Sequence, residues 1–273
     1  MELTNLPIAI TGASSGIGAA TAIACARAGM PVVLAARRVE KLEQVAELIR
    51  STGGRAHVVA YDATRREDAE MLVEETVRVF GSVYGLFANA GYGAEREVMD
   101  MAEADIRAMF ETNFWGSLWL AKAAATRMLA GAAPREGRRG HILLCSSCLS
   151  KIGIPRYSAY CASKAMQDHF ARAMRHELRD RGVFVSSVHP IGTRTEFFGK
   201  VKEKGGELIA KTPDRFMQPP ERVAKAIVKC LRHPRGEVWT SWTTRFALGA
   251  ATIAPGIADW ALSRMVRART GGT

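Results

Sequence analysis

The chain is short of the residues that would commit it to several specialised classes. Its five cysteines (Cys25, Cys145, Cys148, Cys161 and Cys230) are odd in number and sit among apolar runs, which argues against a disulfide framework. A reducing compartment fits better. Glu2 stands where a basic export signal would begin, so a cytoplasmic location is expected. Glycine and proline, at 25 and 10, are too few and too scattered for a collagenous or low-complexity chain. The long apolar stretch near the C-terminus, residues 246–262, is interrupted by Pro255, Gly256 and Asp259, which argues against a spanning helix. Acidic residues are outnumbered 27 to 38, leaving a net charge of +11. Such a charge suits nucleic acid or an anionic membrane, but no basic block is interleaved with aromatics. Arg135, Arg138 and Arg139 read as a solvated loop, and no nucleic-acid partner is expected. The six histidines stand apart from one another and from acidic pairs at ligand spacing, so no metal site is expected. Cys145-Ser146-Ser147-Cys148 has redox spacing but lies at a strand end, not a helix start.

What is present is alternation. Short apolar runs at 7–10, 31–36, 56–60, 85–88, 141–145, 183–188 and 237–240 read as seven strands. Helical-period segments lie between them at 16–28, 39–50, 65–80, 102–129 and 157–181. The fold class expected is α/β: a Rossmann-like, doubly wound, parallel seven-stranded sheet with helices on both faces. One domain would cover 1–242. The alternation fails over about 193–220, where a mobile lid is expected, and 243–273 reads as an apolar, then basic, appendage.

Between the first strand and first helix stands Thr11-Gly12-Ala13-Ser14-Ser15-Gly16-Ile17-Gly18. Glycines permit close backbone approach, so amides at the helix start can face a pyrophosphate. The spacing is Gly-x-x-x-Gly-x-Gly, not the general dinucleotide fingerprint, and three glycines also serve an ordinary tight turn. The position at the first strand–helix junction points to a dinucleotide. At the end of the second strand, where an acid would read a ribose hydroxyl, the chain has Ala35-Ala36-Arg37-Arg38. Arg37 is placed to pair with a 2′-phosphate, with Ser14 or Ser15 assisting, so NADP(H) is favoured over NAD(H). Arg38 either assists or heads a solvated helix.

Tyr160 and Lys164 are four apart, which puts both on one helix face. A carbonyl that receives hydride needs a proton, and a neighbouring cation lowers a phenol toward the range where it exchanges one. Together these motifs resemble the short-chain dehydrogenase/reductase family, in its short single-domain branch. The ordered landmarks are Thr-Gly-x-x-x-Gly-Ile-Gly, Asp62, Asn89-Ala90-Gly91, Asn113, Ser147 and Tyr160-x-x-x-Lys164, across about residues 5 to 240.

The resemblance implies interconversion of a carbonyl and a secondary alcohol, with Tyr160 as acid and base. Ser147 would hold the substrate oxygen, Lys164 would bind the nicotinamide ribose, and the Asn113 backbone would order a proton-relaying water. Asp62 and Ala63 would hold the adenine; Asn89, Ala90 and Gly91 would line the adenosine ribose. Pro190, Thr193 and Thr195 match a segment that binds the carboxamide, except that Ile191 stands where glycine is usual. Substrate recognition is expected from 91–97, 149–155 and 196–219, where Phe197, Phe198, Leu208, Ile209, Phe216 and Met217 suit an apolar alcohol or ketone. The resemblance also implies a homodimer or homotetramer, paired through the 102–129 and 157–181 helices. The tail suits either peripheral contact with an anionic membrane or packing on a neighbouring subunit. The alternative is a non-catalytic NADP(H)-binding regulator or membrane-associated protein.

Overall fold

The computed structural model of the chain describes residues 1–134, 137–203, 206 and 214–270. The seven apolar runs form the seven strands: β1 (Ile8–Thr11), β2 (Val32–Ala36), β3 (Ala56–Ala60), β4 (Gly85–Ala88), β5 (Gly140–Cys145), β6 (Val183–His189) and β7 (Glu237–Trp239). Every residue of β1, β2, β4 and β5 is buried, the continuous apolar pattern of strands covered on both faces. All neighbouring strands are parallel, in the order β3-β2-β1-β4-β5-β6-β7. The chain therefore builds outward from β1, then returns to lay β4 on its other side. That reversal opens a crevice at the carboxyl ends of β1 and β4, the place where such sheets take ligands.

The helices α1 (Gly16–Arg27), α2 (Val39–Arg50) and α8 (Pro220–Arg232) cover one face over Ile10, Leu34, Leu42 and Ile227. The helices α3 (Arg66–Phe80), α5 (Gly116–Ala130) and α6 (Ser158–Leu178) cover the other over Leu72, Leu86, Leu120 and Ile142. Each fully buried Leu or Ile contributes about 1.5–3 kcal/mol, so both layers hold the strand ends firmly.

Two sequence expectations change. The helix expected over 102–129 is α4 (Glu103–Phe110), a π-helical turn at Glu111–Trp115, then α5. The wide turn falls at Asn113, whose side chain bonds outside the helix, a site where such bulges recur. The helix over 157–181 ends at Leu178 and tightens into a 3₁₀ turn before Gly182. Ile191, where glycine is usual, and the Gly192 that follows both keep backbone without positive φ, so Ile191 brings no strain.

Within 193–220 lie α7 (Phe197–Glu203) and a 3₁₀ turn at Asp214–Phe216, closed at the base by a bridge between Thr193 and Gln218. Leu208 and Ile209, and Arg135 of the basic loop, lie outside the described residues. Two helices, α9 (Trp242–Ile253) and α10 (Pro255–Thr270), follow β7. Among the described residues no single helix is long and apolar enough to cross a membrane; α9 and α10 qualify only as a pair bent by 115°.

Candidate active site

A cavity of about 450 Å³ runs along the carboxyl ends of the central strands, from Ser14, Ser15 and Arg38 to Ser147 and Tyr160. Its floor is the glycine-rich turn. Gly12 and Gly16 have φ of +64° and +57°, and a β-carbon on them would lie 2.8 Å from Asn89 Nδ2 and 2.9 Å from Thr195 Cγ2. Side chains are thus excluded twice, by conformation and by space. The helix α1 that follows has neither a side-chain cap on its first amides nor an acid in its first turn. Uncapped amides over a floor of glycines fit a dinucleotide phosphate. Asn89 holds the turn shut: its Nδ2 donates to the Thr11 carbonyl at 3.0 Å, while the amides of Asn89 and Ala90 donate to the Thr11 hydroxyl. Gly18 lies beneath, against Gly12 and Asn89.

The two adjacent arginines differ in their surroundings. Arg37 is exposed and acts on Asp62, whereas Arg38 lines the cavity and donates to the Ser14 and Ser15 hydroxyls at 3.1 and 3.0 Å. Successive residues leaving a strand point to opposite sides, so Arg38, first residue before α2, is the one turned back over the glycines. A residue not anticipated meets it there. The Glu196 carboxylate pairs with Arg38 at 2.8 Å and Lys41 at 2.7 Å, which with a Ser15 hydrogen bond hold it down at about 2. Those partners lie 155 or more residues away in sequence, so spacing carries no sign of these contacts, unlike that with Lys200 four residues on, at 4.0 Å.

At the far end, Tyr160 stands near Ser147, Lys164 and Phe197. The Phe197 ring lies 5.5 Å from that of Tyr160, and the Lys164 ammonium lies 5.9 Å from the centre of the Tyr160 ring. Burial pushes the Tyr160 phenol up, and a hydrogen bond with Ser147 works against it. Burial likewise lowers Lys164, whose Nζ donates to the Cys145 carbonyl at 2.7 Å and to Gln167 Oε1 at 3.1 Å. In the protein alone burial therefore outweighs the Ser147 hydrogen bond, and the phenol does not show the depression expected from Lys164 beside it. Gln167, a partner three residues along the helix from Lys164, is legible only once that lysine is known to be buried.

Asn113 is fully buried one layer behind: its Oδ1 accepts from the Tyr92 amide at 2.9 Å, and its Nδ2 donates to the Tyr92 carbonyl and to Ser163. Gly91 lies between it and Lys164, with room for no side chain. Gly12, Ser14, Ser15, Gly16, Ile17, Asn89, Ala90, Gly91, Pro190, Thr193 and Thr195 line the cavity. Arg37, Asp62, Ala63, Gly18 and Asn113 do not. Asp62 accepts from the amide and hydroxyl of Thr64 at 3.0 and 2.9 Å, the turn that leads into α3, and these bonds hold it below the usual carboxylate range. Ala63 is buried against Gly116. All five cysteines are free, and burial pushes Cys148 up to about 11, far from a reactive thiolate. The walls near Tyr160 are largely apolar, from Tyr92, Leu149, Ile154, Phe197 and Phe198.

The family model for short chain dehydrogenases matches residues 7–206. The chain belongs to the short-chain dehydrogenase family. It is an oxidoreductase of that type, acting on CH–OH groups with a nicotinamide cofactor. An uncharacterised oxidoreductase of Listeria innocua is 31% identical over 237 residues, which cover 86% of this chain and 93% of that protein. Among solved structures, a short-chain type dehydrogenase/reductase from Mycobacterium marinum is 30% identical with a TM-score of 0.76, over 86% of this chain and 93% of that one. An alcohol dehydrogenase from the archaeon Thermococcus sibiricus, complexed with 5-hydroxy-NADP, is 27% identical with a TM-score of 0.73, over 85% and 94%. The match covers the glycine-rich turn, the Ser147 turn and the Tyr160 helix of this short-chain dehydrogenase.

Proposed function

We propose that this short-chain dehydrogenase interconverts a carbonyl and a secondary alcohol on an apolar substrate, using NADP(H), with Tyr160 moving the proton. The observation that carries the reading is the meeting of Ser147, Tyr160 and Lys164 at one end of a cavity whose other end is the glycine-rich turn and Arg38. A bound nicotinamide would supply hydride in reduction and accept it in oxidation. Tyr160 gives its phenol proton to the substrate oxygen in reduction and takes one back in oxidation. Ser147 donates to the same oxygen, and a donor that tightens as charge develops is worth about 2–4 kcal/mol at such sites. Lys164 brings the cationic charge that favours phenolate, against the effect of burial. Arg38, with the Ser14 and Ser15 hydroxyls, forms the fork that suits a 2′-phosphate.

The apolar walls support an apolar alcohol or ketone. Trp115 and Phe170, each 43% exposed beside the buried Phe114, support a homo-oligomer formed through this face. Trp242, Phe246 and Trp260 on the tail, with Arg245 and Arg264 stacked over its tryptophans, support peripheral contact of a cytoplasmic protein with an anionic surface. The reading is tested by titrating NADPH and NADH against intrinsic tryptophan fluorescence. NADPH is expected to bind at least about tenfold tighter, and Arg38→Ala to erase the difference. With apolar ketones, Tyr160→Phe is expected to lower turnover about 10²–10⁴-fold while NADPH binding is kept. Turnover that survives the substitution overturns the proton assignment.

A further inference from the structure

Behind Ser147 lies a buried polar cluster that the reaction above does not use. His189, at the end of β6, is fully buried and stacked on Trp239 at 4.5 Å. Its Nδ1 lies 3.0 Å from the carbonyl oxygen of Ser147. A carbonyl only accepts, so a hydrogen bond there is donated by Nδ1, which also lies 3.3 Å from the Ser150 hydroxyl. On its other side Nε2 lies 3.0 Å from the Ser187 hydroxyl and 3.4 Å from Asp168 Oδ1. Asp168 also receives Lys151 Nζ at 2.5 Å, and the same ammonium reaches Glu237 at 3.1 Å. The ligating atoms of Asp168, His189 and Glu237 lie within 4.8 Å of one another, close enough to share a cation, and Lys151 is the cation that the two carboxylates share.

These bonds converge on one short turn. Ser147 opens the 3₁₀ turn Cys148–Lys151 and Lys151 closes it. The turn is held at 147 by His189, at 148 by the Cys148 amide donating to Pro190, and at 151 by Asp168. Asp168 stands on α6 four residues after Lys164 and eight after Tyr160, hence on the same helix face. One helix therefore carries the proposed acid and also grips the turn that carries the proposed oxygen-binding hydroxyl.

We infer that Asp168 and His189 are a positioning pair that seats the Ser147 turn against α6 and so sets the Ser147 hydroxyl relative to Tyr160. The inference rests on the proposed roles of Ser147 and Tyr160. Displacement of a catalytic group by about 1 Å costs on the order of 10²-fold in rate, so a pair that never touches substrate governs the chemistry through this turn.

The test compares His189→Leu, which removes the donor, with His189→Asn, which keeps a donor near the Nδ1 position. Two readouts need no known substrate. Amide hydrogen exchange over 147–151 reports the seating of the turn. Phenolate absorbance across about pH 6 to 10 with saturating NADP⁺, less that of Tyr160→Phe, reports Tyr160 itself. In His189→Leu, protection is expected to fall at least about tenfold and the Tyr160 midpoint to rise by about one pH unit, with His189→Asn restoring both. Unchanged protection overturns the inference. Lost protection with an unmoved phenol midpoint overturns it too, because the pair is then structural alone. Absence of Tyr160 ionisation in the wild type overturns the acid/base assignment and the inference with it, and is recognised because it shows before any substitution.

Discussion

Two adjacent arginines with opposite surroundings give the cofactor end its sharpest test. Arg38 bonds both serines of the glycine-rich turn, while Arg37 faces outward toward Asp62. A charge-assisted bond to phosphate contributes about 1.5–3 kcal/mol, so Arg38→Ala is expected to weaken NADPH about 10–100-fold and NADH little. Arg37→Ala is expected to leave both within about threefold, by the same fluorescence titration. Glu196 adds a second prediction. Its carboxylate sits on Arg38 and Lys41, so an incoming phosphate competes with it for those cations. The pair is partly exposed, and its loss in Glu196→Gln is expected to tighten NADPH only about two- to fivefold. The sign with pH follows from the lowered carboxyl, at about 2 against an ordinary 4.5. The ion pair is complete above 4.5 and is lost as pH falls toward 2, so the advantage of Glu196→Gln is expected to stay constant from about pH 5 to 8.

At the scale of elements, what spacing encodes was legible and what register encodes was not. Tyr160 and Lys164 announce a shared face because i and i+4 are neighbours on any helix. Asp168 is the next member of that series, yet its partners His189 and Lys151 come from β6 and the Ser147 turn, and Glu237, which shares Lys151 with it, from β7. Which strand ends meet depends on sheet order, and no local pattern states it. The wide turn at Asn113 escaped for a related reason: apolar periodicity runs through 102–129 whether the helix is regular or not, and only the contacts of Asn113 with Tyr92 mark the break. Asp168 also carries a stability prediction. Burial alone would raise its carboxyl, but hydrogen bonds from His189, Lys151 and Ser187 prevail and hold it below its ordinary 3.8. Its contribution is therefore present above 3.8 and lost as pH falls through the lower, folded value. Asp168→Asn leaves Lys151 with Glu237 alone and takes the carboxylate from His189, and is expected to cost about 1–3 kcal/mol near neutrality in denaturant unfolding, with a flatter loss of stability below pH 4 than the wild type shows.

For the molecule as a whole, the strand runs and their alternation with helices were enough to give the parallel sheet, because crossover connections leave few arrangements open. The boundaries of β1, β2, β5, β6 and β7 differ from the expected runs by a residue, as strand ends commonly do. The tail is the part for which periodicity gave two answers, a surface for lipid or a seam for a neighbouring subunit. Phe246, Ile257 and Trp260 are 72%, 70% and 60% exposed, an apolar concentration that soluble surfaces seldom carry without a use. Arg245 lies over Trp242 at 5.0 Å and Arg264 over Trp260 at 4.9 Å, so positive charge accompanies the exposed rings. Deleting residues 247–273 leaves Arg245 and its contact with Glu237 in place, and with them the cluster behind Ser147. NADPH affinity and ketone turnover are therefore expected to stay within about twofold of the full chain. Sedimentation with anionic vesicles, compared with neutral ones, and mass by analytical ultracentrifugation then separate the two uses of the tail. Loss of vesicle binding at unchanged mass assigns the tail to lipid, and a fall in mass without vesicle binding assigns it to the subunit interface. Unchanged mass together with vesicle binding that survives the deletion removes both.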